Sequence, residues 1–290
     1  MRRSAVLIAD SCCDLPLELL ERREVEGLCF PYVMDDEQML DDFQVSMSHI
    51  EFYRRMRDGA SPTTAQIALP TYVEAFRAHA ERGEDMVHFT LSSRLSGTFN
   101  AAMLGRQAVL KEFPEARIEV VDSLSASVAN GGLVLALADR LDAGDTVDEV
   151  LGWFREHRQH LNGHFTVDSP EHLRRGGRIS DVAAAAGTLL DIKPLLFLDQ
   201  QGRLEVGAKV RGRRKSIRAI ADMVAANIQD AASQTIIIGH GDAIEDAALL
   251  RDAIAERVEP AEFLDTEIGP VIGSHTGPGM VAAVFWGHPC

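Results

Sequence analysis

The residues of this chain whose types and settings promise chemistry are Thr64, Ser92, Ser93 and His275. His275 lies in Gly273–Gly279, GSHTGPG, a composition that suits neither a helix nor a central strand. The stretch reads as a defined loop between the strand-like runs Ile268–Ile272 and Met280–Trp286. Its imidazole sits at the tip, where a scaffold can present a functional side chain. Ser92 and Ser93 open SSRLSGT directly after the apolar run 85–91, and Thr64 stands in PTTAQ, residues 62–66. All of these side chains can donate a hydrogen bond. One chemistry open to them is ester hydrolysis, with Ser93 as nucleophile, His275 as base and an Asp as orienter. Against it, the chain has no G-x-S-x-G elbow, and Ser93 stands in S-S-R-L rather than in a sharp glycine turn. The structural alternatives are plain ones: Thr64 caps the helix starting near Pro70, Ser93 satisfies a strand-end backbone group, and Ser96 caps the helix after it.

The elements that must position these residues alternate. Ser4–Ala9, 27–34, 85–91 and 117–121 are short apolar runs that read as strands. Helical patterns are expected over 46–57, 70–81, 97–111, from Ser123 to about Leu141, and over 146–159. Such alternation predicts an α/β domain over residues 1–162, a parallel sheet with helices on both faces. Ligands bind at the carboxyl ends of such strands, and here Ser11, Ser92, Ser93 and Ser123 stand at those ends, a polar rim around one crevice. Asp10 and Asp122, beside them, are expected to anchor loops by accepting backbone N–H bonds.

Residues 163–290 read as a second, α+β domain with a mixed or antiparallel sheet. A strand at 164–169 and an alanine-rich helix at 180–190 precede a hairpin, 193–199 and 204–210, across Asp199-Gln200-Gln201-Gly202. A basic helix from Arg213, strand 235–239, helix 243–257 and strands 261–268 and 280–286 complete it.

Bulk properties exclude several function classes. With a net charge of −15, nucleic acid and anionic membrane are disfavoured as main partners. The basic run Lys209, Arg211, Arg213, Arg214, Lys215 and Arg218 lacks aromatic interleaving and reads as a solvated face or a docking patch. The uncharged stretch between Asp122 and Asp139 is too short for a transmembrane segment. The apolar run after Met1-Arg2-Arg3 ends at Asp10, which argues against a signal peptide. Cysteines 12, 13, 29 and 290 form no framework, so a cytoplasmic protein is expected. His157 and His160 lie one helical turn apart without a third ligand, so no metal is expected. No Walker loop or G-x-G-x-x-G is present, so any phosphoryl donor must come with a partner.

In order along the chain, ADSCCDLP (9–16), PTTAQ (62–66), SSRLSGT (92–98), LRRGGRIS (173–180) with DIKPLL (191–196), and IGPVIGSHTGPG (268–279) resemble the motifs of the DegV family of bacterial fatty-acid-binding proteins. The resemblance implies two α/β domains with one long-chain fatty acid in a tunnel between them and no cofactor. It also implies a non-catalytic carrier: a separate ATP-using fatty acid kinase subunit phosphorylates the bound carboxylate, and the acyl phosphate goes toward phospholipid synthesis. Carried over residue by residue, Thr64, Ser93 (or its neighbour Ser92) and His275 correspond to the carboxylate-binding residues. Arg174, Arg175 and Arg178 correspond to arginines that dock the kinase subunit. The chain departs from the family's usual T-S-Q-P at Thr64-Ala65-Gln66-Ile67, and Cys12-Cys13 replaces a small or polar pair.

The chemistry of such a ligand suits these residues. A tail of roughly sixteen carbons, at ~0.8 kcal/mol per buried methylene, offers on the order of 11–12 kcal/mol before association costs. Val182–Leu196 mixes small and large apolar residues and is a candidate tunnel wall, or ordinary core. The head must be hydrogen-bonded once it leaves water. Hydroxyls orient it while leaving an oxygen free to attack phosphorus, which a bidentate arginine would cover. Near the usual histidine pKa, His275 is either neutral or protonated.

Overall fold

The computed structural model describes residues 3–180 and 191–289. The apolar runs that end in small polar residues form parallel strands: β1 (Val6–Asp10), β2 (Val25–Leu28), β6 (Met86–Thr90) and β7 (Ile118–Asp122), in the order β2-β1-β6-β7. Their side chains alternate between two cores. Leu7, Ala9, Val87 and Phe89 pack under α5 (Ser127–Asp142) and α6 (Val147–His157). Ile8, Met86 and Ile118 pack under α3 (Leu69–Glu81) and α4 (Thr98–Glu112).

A six-stranded mixed sheet occupies the second half, in the order β10-β9-β8-β13-β11-β12. Its strands are β8 (Leu161–Thr166), β9 (Ile192–Leu198), β10 (Leu204–Arg211), β11 (Thr235–His240), β12 (Glu262–Glu267) and β13 (Val281–Trp286). All its pairs are antiparallel except β11 with β12. Helices α8 (Arg213–Asn227) and α9 (Ile244–Ala255) cover one face. The other face packs on the first half through α5, whose Val128, Ala129 and Leu135 join Ile237, Ala282 and Val284.

Helix α5 therefore lies between two sheets, which explains a sequence that is apolar all round rather than along one stripe. Two consecutive glycines let both neighbours approach. A Cβ on Gly131 would lie 2.5 Å from the carbonyl oxygen of Cys13, and one on Gly132 would lie 3.2 Å from Leu161.

Three features differ from the sequence reading. Residues 27–34 are not one strand. The chain leaves β2 at Leu28 and begins β3 (Phe30–Met34) in a separate three-stranded sheet, ordered β4-β3-β5 with β4 (Glu37–Asp41) and β5 (Thr63–Thr64). The β3–β4 hairpin turns through Asp35 and Asp36, both at positive φ (53° and 63°). Such a turn usually contains glycine, and its absence hid the hairpin. Thr64 is thus a strand residue opposite Tyr32, not a helix cap.

His275 is not at a loop tip either. Pro270–Thr276 is a short helix, α10, with its proline in the first turn, where a missing N–H costs nothing. Gly273 is there for contact rather than for turning: a Cβ would lie 2.5 Å from the Tyr53 hydroxyl. Only Gly277 and Gly279, at φ 75° and 92°, make the tight connection to β13. Finally, Gly97, not Ser96, holds the cap position of α4; Ser96 Oγ accepts the Thr98 N–H at 3.3 Å instead. The expected helix at 180–190 falls outside the described residues apart from Ser180, as does the 182–190 portion of the expected tunnel wall.

Candidate functional site

A cavity of about 310 Å³ lies between the two halves, within the ~300–1,000 Å³ typical of small-molecule sites. Its walls come from the large sheet and from α5. Leu161, Phe165, Met280, Ala282 and Val284 face Val128 and Leu133. Thr64, Gln66, Ser96, Arg178 and His275 add polar groups, and Leu198 and Leu204 extend the apolar wall.

Strand register gives the cavity a direction. Val281 pairs with Thr166 and Trp286 with Leu161, so α10, just before β13, lies at the Thr166 end. Arg158 and Gln159 precede Leu161 at the other. β8 spans roughly 17 Å at ~3.3 Å per residue. That is close to the ~15 Å that one acyl chain fills in a ~30 Å bilayer core.

At the α10 end, His275 Nε2 and Thr64 Oγ1 are hydrogen-bonded at 2.8 Å across a separation of 211 residues. Either atom can donate, according to the imidazole tautomer. The other ring nitrogen, Nδ1, is buried with no hydrogen-bond partner among the described residues. It packs against Gly176, just past α7 (Glu171–Arg175), where an added Cβ would collide with it. Burial first, then the charges of Arg178 and Arg175, push the His275 pKa down to about 4. Of the two protonation states open from sequence, burial favours the neutral one at neutral pH.

This gives a stability prediction with a definite sign. An imidazole whose folded pKa lies below its unfolded 6.5 binds fewer protons in the folded state. Its contribution is present above about pH 6.5 and is lost as pH falls toward about 4. A His275→Gln variant should therefore lose less thermal stability than the parent between about pH 7 and about pH 4. An equal or steeper loss would show that His275 is not buried in its neutral form.

The arginines divide. Arg178 lines the cavity, with Nη2 donating to the Leu95 carbonyl at 2.9 Å. Arg174 is exposed and pairs with Glu171, while Arg175 is exposed and bonds His172 Nδ1 at 3.2 Å. The two exposed arginines lie on α7, which packs against α10.

Ser92 and Ser93 do not line the cavity. Ser92 Oγ donates to the Gly202 carbonyl at 2.9 Å, tying the β9–β10 hairpin to the first half. The Ser93 N–H is held by Asp122 Oδ1 at 3.0 Å, and Asp10 Oδ2 accepts the Leu91 N–H at 2.9 Å. Both acids thus hold loops. No hydrogen bond joins Ser93 to His275, so the pair a hydrolase would need is not assembled. Ser92→Ala should lower stability by ~1 kcal/mol through the unpaired carbonyl and leave ligand affinity within about twofold; an affinity loss of about tenfold would place Ser92 at the ligand. His157 and His160 turn their Nδ1 atoms to the carbonyls of Trp153 and Gly287.

Sequence reasoning missed Gln66 and Ser96 as wall residues and placed Arg178 at a docking surface. The signal was present: Gln66 follows Thr64 by two residues, the period of one strand face.

Comparison with known proteins matches this arrangement. The family model described as "Uncharacterised protein, DegV family" matches residues 4–287. A DegV domain-containing protein of Clostridium perfringens is 37% identical over 282 residues, 97% of each chain. Among solved structures, a fatty-acid-binding DegV family protein from Thermus thermophilus is 31% identical with a TM-score of 0.87, covering 99% of this chain and 100% of that one. A DegV family protein from Ruminococcus gnavus, solved with vaccenic acid, is 26% identical with a TM-score of 0.87, covering 97% and 99%. By sequence and by fold, over nearly its whole length, this chain belongs to the DegV family.

Proposed function

We propose that this protein binds one long-chain fatty acid between its two halves and presents the carboxylate to a separate ATP-using kinase subunit. The observation that carries the reading is the cavity itself, an apolar slot about one acyl chain long with the Thr64–His275 pair at one end. Fatty acids bound by the Thermus and Ruminococcus proteins support the ligand class. The tail supplies the affinity by leaving water. The Thr64 hydroxyl and the neutral His275 imidazole meet the head, the Arg178 guanidinium, tied to the Leu95 and Gly176 carbonyls, lends its charge nearby, and Ser92 and Ser93 act by holding the loops around it.

The handover follows from what the site lacks. Its groups hold a carboxylate without covering both oxygens, and no phosphate-cradling loop is present in the sequence. One carboxylate oxygen attacks the γ-phosphorus of ATP held by the partner; ADP leaves and an acyl phosphate remains. Arg174 and Arg175, exposed on α7 beside α10, are the groups we assign to docking that partner. No described helix is long and apolar enough to cross a membrane. Cys12, Cys13 and Cys29 are free thiols, which suits the cytoplasmic location we assign.

Titration of delipidated protein with cis-parinaric acid, a fluorescent long-chain fatty acid, tests the binding. Saturable uptake of one equivalent is expected, and no uptake would overturn the reading. Incubating the loaded protein with an ATP-using fatty acid kinase tests the handover separately. Hydroxylamine-trappable acyl phosphate is expected, and is expected to be lost on Arg174→Ala/Arg175→Ala substitution.

A further inference from the structure

Asp14 and Asp41 form no part of the cavity wall, yet both are buried, at 4% and 2% exposure. Two carboxyl groups kept from water are costly unless something specific is gained. Burial raises the pKa of both, and the charges of Asp14 and Asp42 add to the rise at Asp41.

Donors from the other half of the chain reach both. Asp14 Oδ1 accepts the Gly269 N–H at 2.8 Å, its Oδ2 accepts Ser127 Oγ at 2.6 Å, and its carbonyl accepts Thr266 Oγ1 at 2.7 Å. Asp41 Oδ2 accepts the Val271 N–H at 3.3 Å. Both acids converge on Gly269, where a Cβ would lie 3.0 Å from an oxygen of each. Tyr53 adds a bond to the Ile268 carbonyl at 2.9 Å.

What these bonds hold is the segment that carries His275. Val271 and His275 are four residues apart on α10, about one turn. Asp41 ends β4 opposite Phe30 of β3, and Thr64 lies opposite Tyr32 of the same strand. One small sheet thus grips α10 twice, through Asp41 at Val271 and through Thr64 at His275. We propose that Asp14 and Asp41 are positioning residues, which set α10 against the sheet that bears Thr64 so that the His275 imidazole meets the Thr64 hydroxyl. The effect on carboxylate binding rests on the function proposed above; the effect on the imidazole does not.

The test is histidine ¹⁵N NMR on the full-length, ligand-free protein, with His275 assigned by His275→Gln, alongside cis-parinaric acid titration. In Asp14→Ala and Asp41→Ala the His275 Nε2 resonance should shift and its pKa should rise above about 4. Affinity for cis-parinaric acid should fall by roughly tenfold, as for one lost charged hydrogen bond. Asp14→Asn and Asp41→Asn keep an acceptor oxygen and should restore both readings. If the alanine variants do not fold, Gly269→Ala, which crowds both carboxyls without removing either, is read in the same way. An unmoved His275 resonance in a folded variant, or asparagine no better than alanine, overturns the proposal. If the parent protein itself takes up no cis-parinaric acid, the fatty-acid reading fails, while the NMR still decides the positioning.

Discussion

Thr64→Val should weaken fatty-acid affinity by about tenfold to a hundredfold, the equivalent of ~1.5–3 kcal/mol for a hydrogen bond to a charged group. The substitution keeps shape and β-branching, so β5 and its pairing with Tyr32 should survive. Only the hydroxyl that meets His275 at 2.8 Å is removed. Thr63→Val is the control, since Thr63 is exposed and alternates to the opposite face. It should bind like the parent. Titration of both delipidated variants with cis-parinaric acid, with melting curves for each, checks the pair. Equal affinities would remove Thr64 from the head-group site.

Gly176→Ala should be the more damaging substitution. Its φ of −73° is one that any residue adopts, so alanine brings no backbone strain. The added methyl would instead collide with His275 Nδ1 and stand 2.9 Å from Cε1. The ring sits on a helix gripped from its far end and cannot retreat without breaking the bond to Thr64. We expect at least the loss predicted for Thr64→Val, and a shifted imidazole resonance. Gly177→Ala offers the opposite signature. Among the described residues nothing lies within 4 Å of that added carbon, but φ is +72°. Alanine there should cost ~1–2 kcal/mol of stability and leave affinity nearly intact. Reversal of the two patterns would show that Gly176 is needed for the chain path, not for the imidazole.

Thr64 and His275, which meet across 211 residues of sequence, were legible from sequence, because each stands in a short, compositionally unusual segment. What was not legible was how α10 carries His275. Its glycines suggested a loop, yet Gly269 and Gly273 serve as points of close approach to Asp14, Asp41 and Tyr53. Residue type alone does not separate a glycine that turns the chain from one that admits a neighbour. The small sheet was hidden for a related reason: aspartates occupy the turn positions where glycine or asparagine is the usual signal. Ser92 and Ser93 show the limit of reading hydroxyls at strand ends. The parallel strands were evident, but which hydroxyls turn into the crevice depends on the β9–β10 hairpin docking on Ser92 through Gly202, a contact between halves that no local pattern announces. The apolar character of α5, by contrast, was plain, and its burial between two sheets accounts for it.

On the function proposed above, an acyl chain occupies the space between the two halves. Mass spectrometry of a solvent extract from protein purified without detergent tests it most directly. Long-chain fatty acid is expected at close to one per protein chain, reduced in the Thr64→Val preparation and regained when stripped parent protein is re-exposed to fatty acid. An extract free of acyl chains, from protein that takes up none after thorough delipidation, would contradict it.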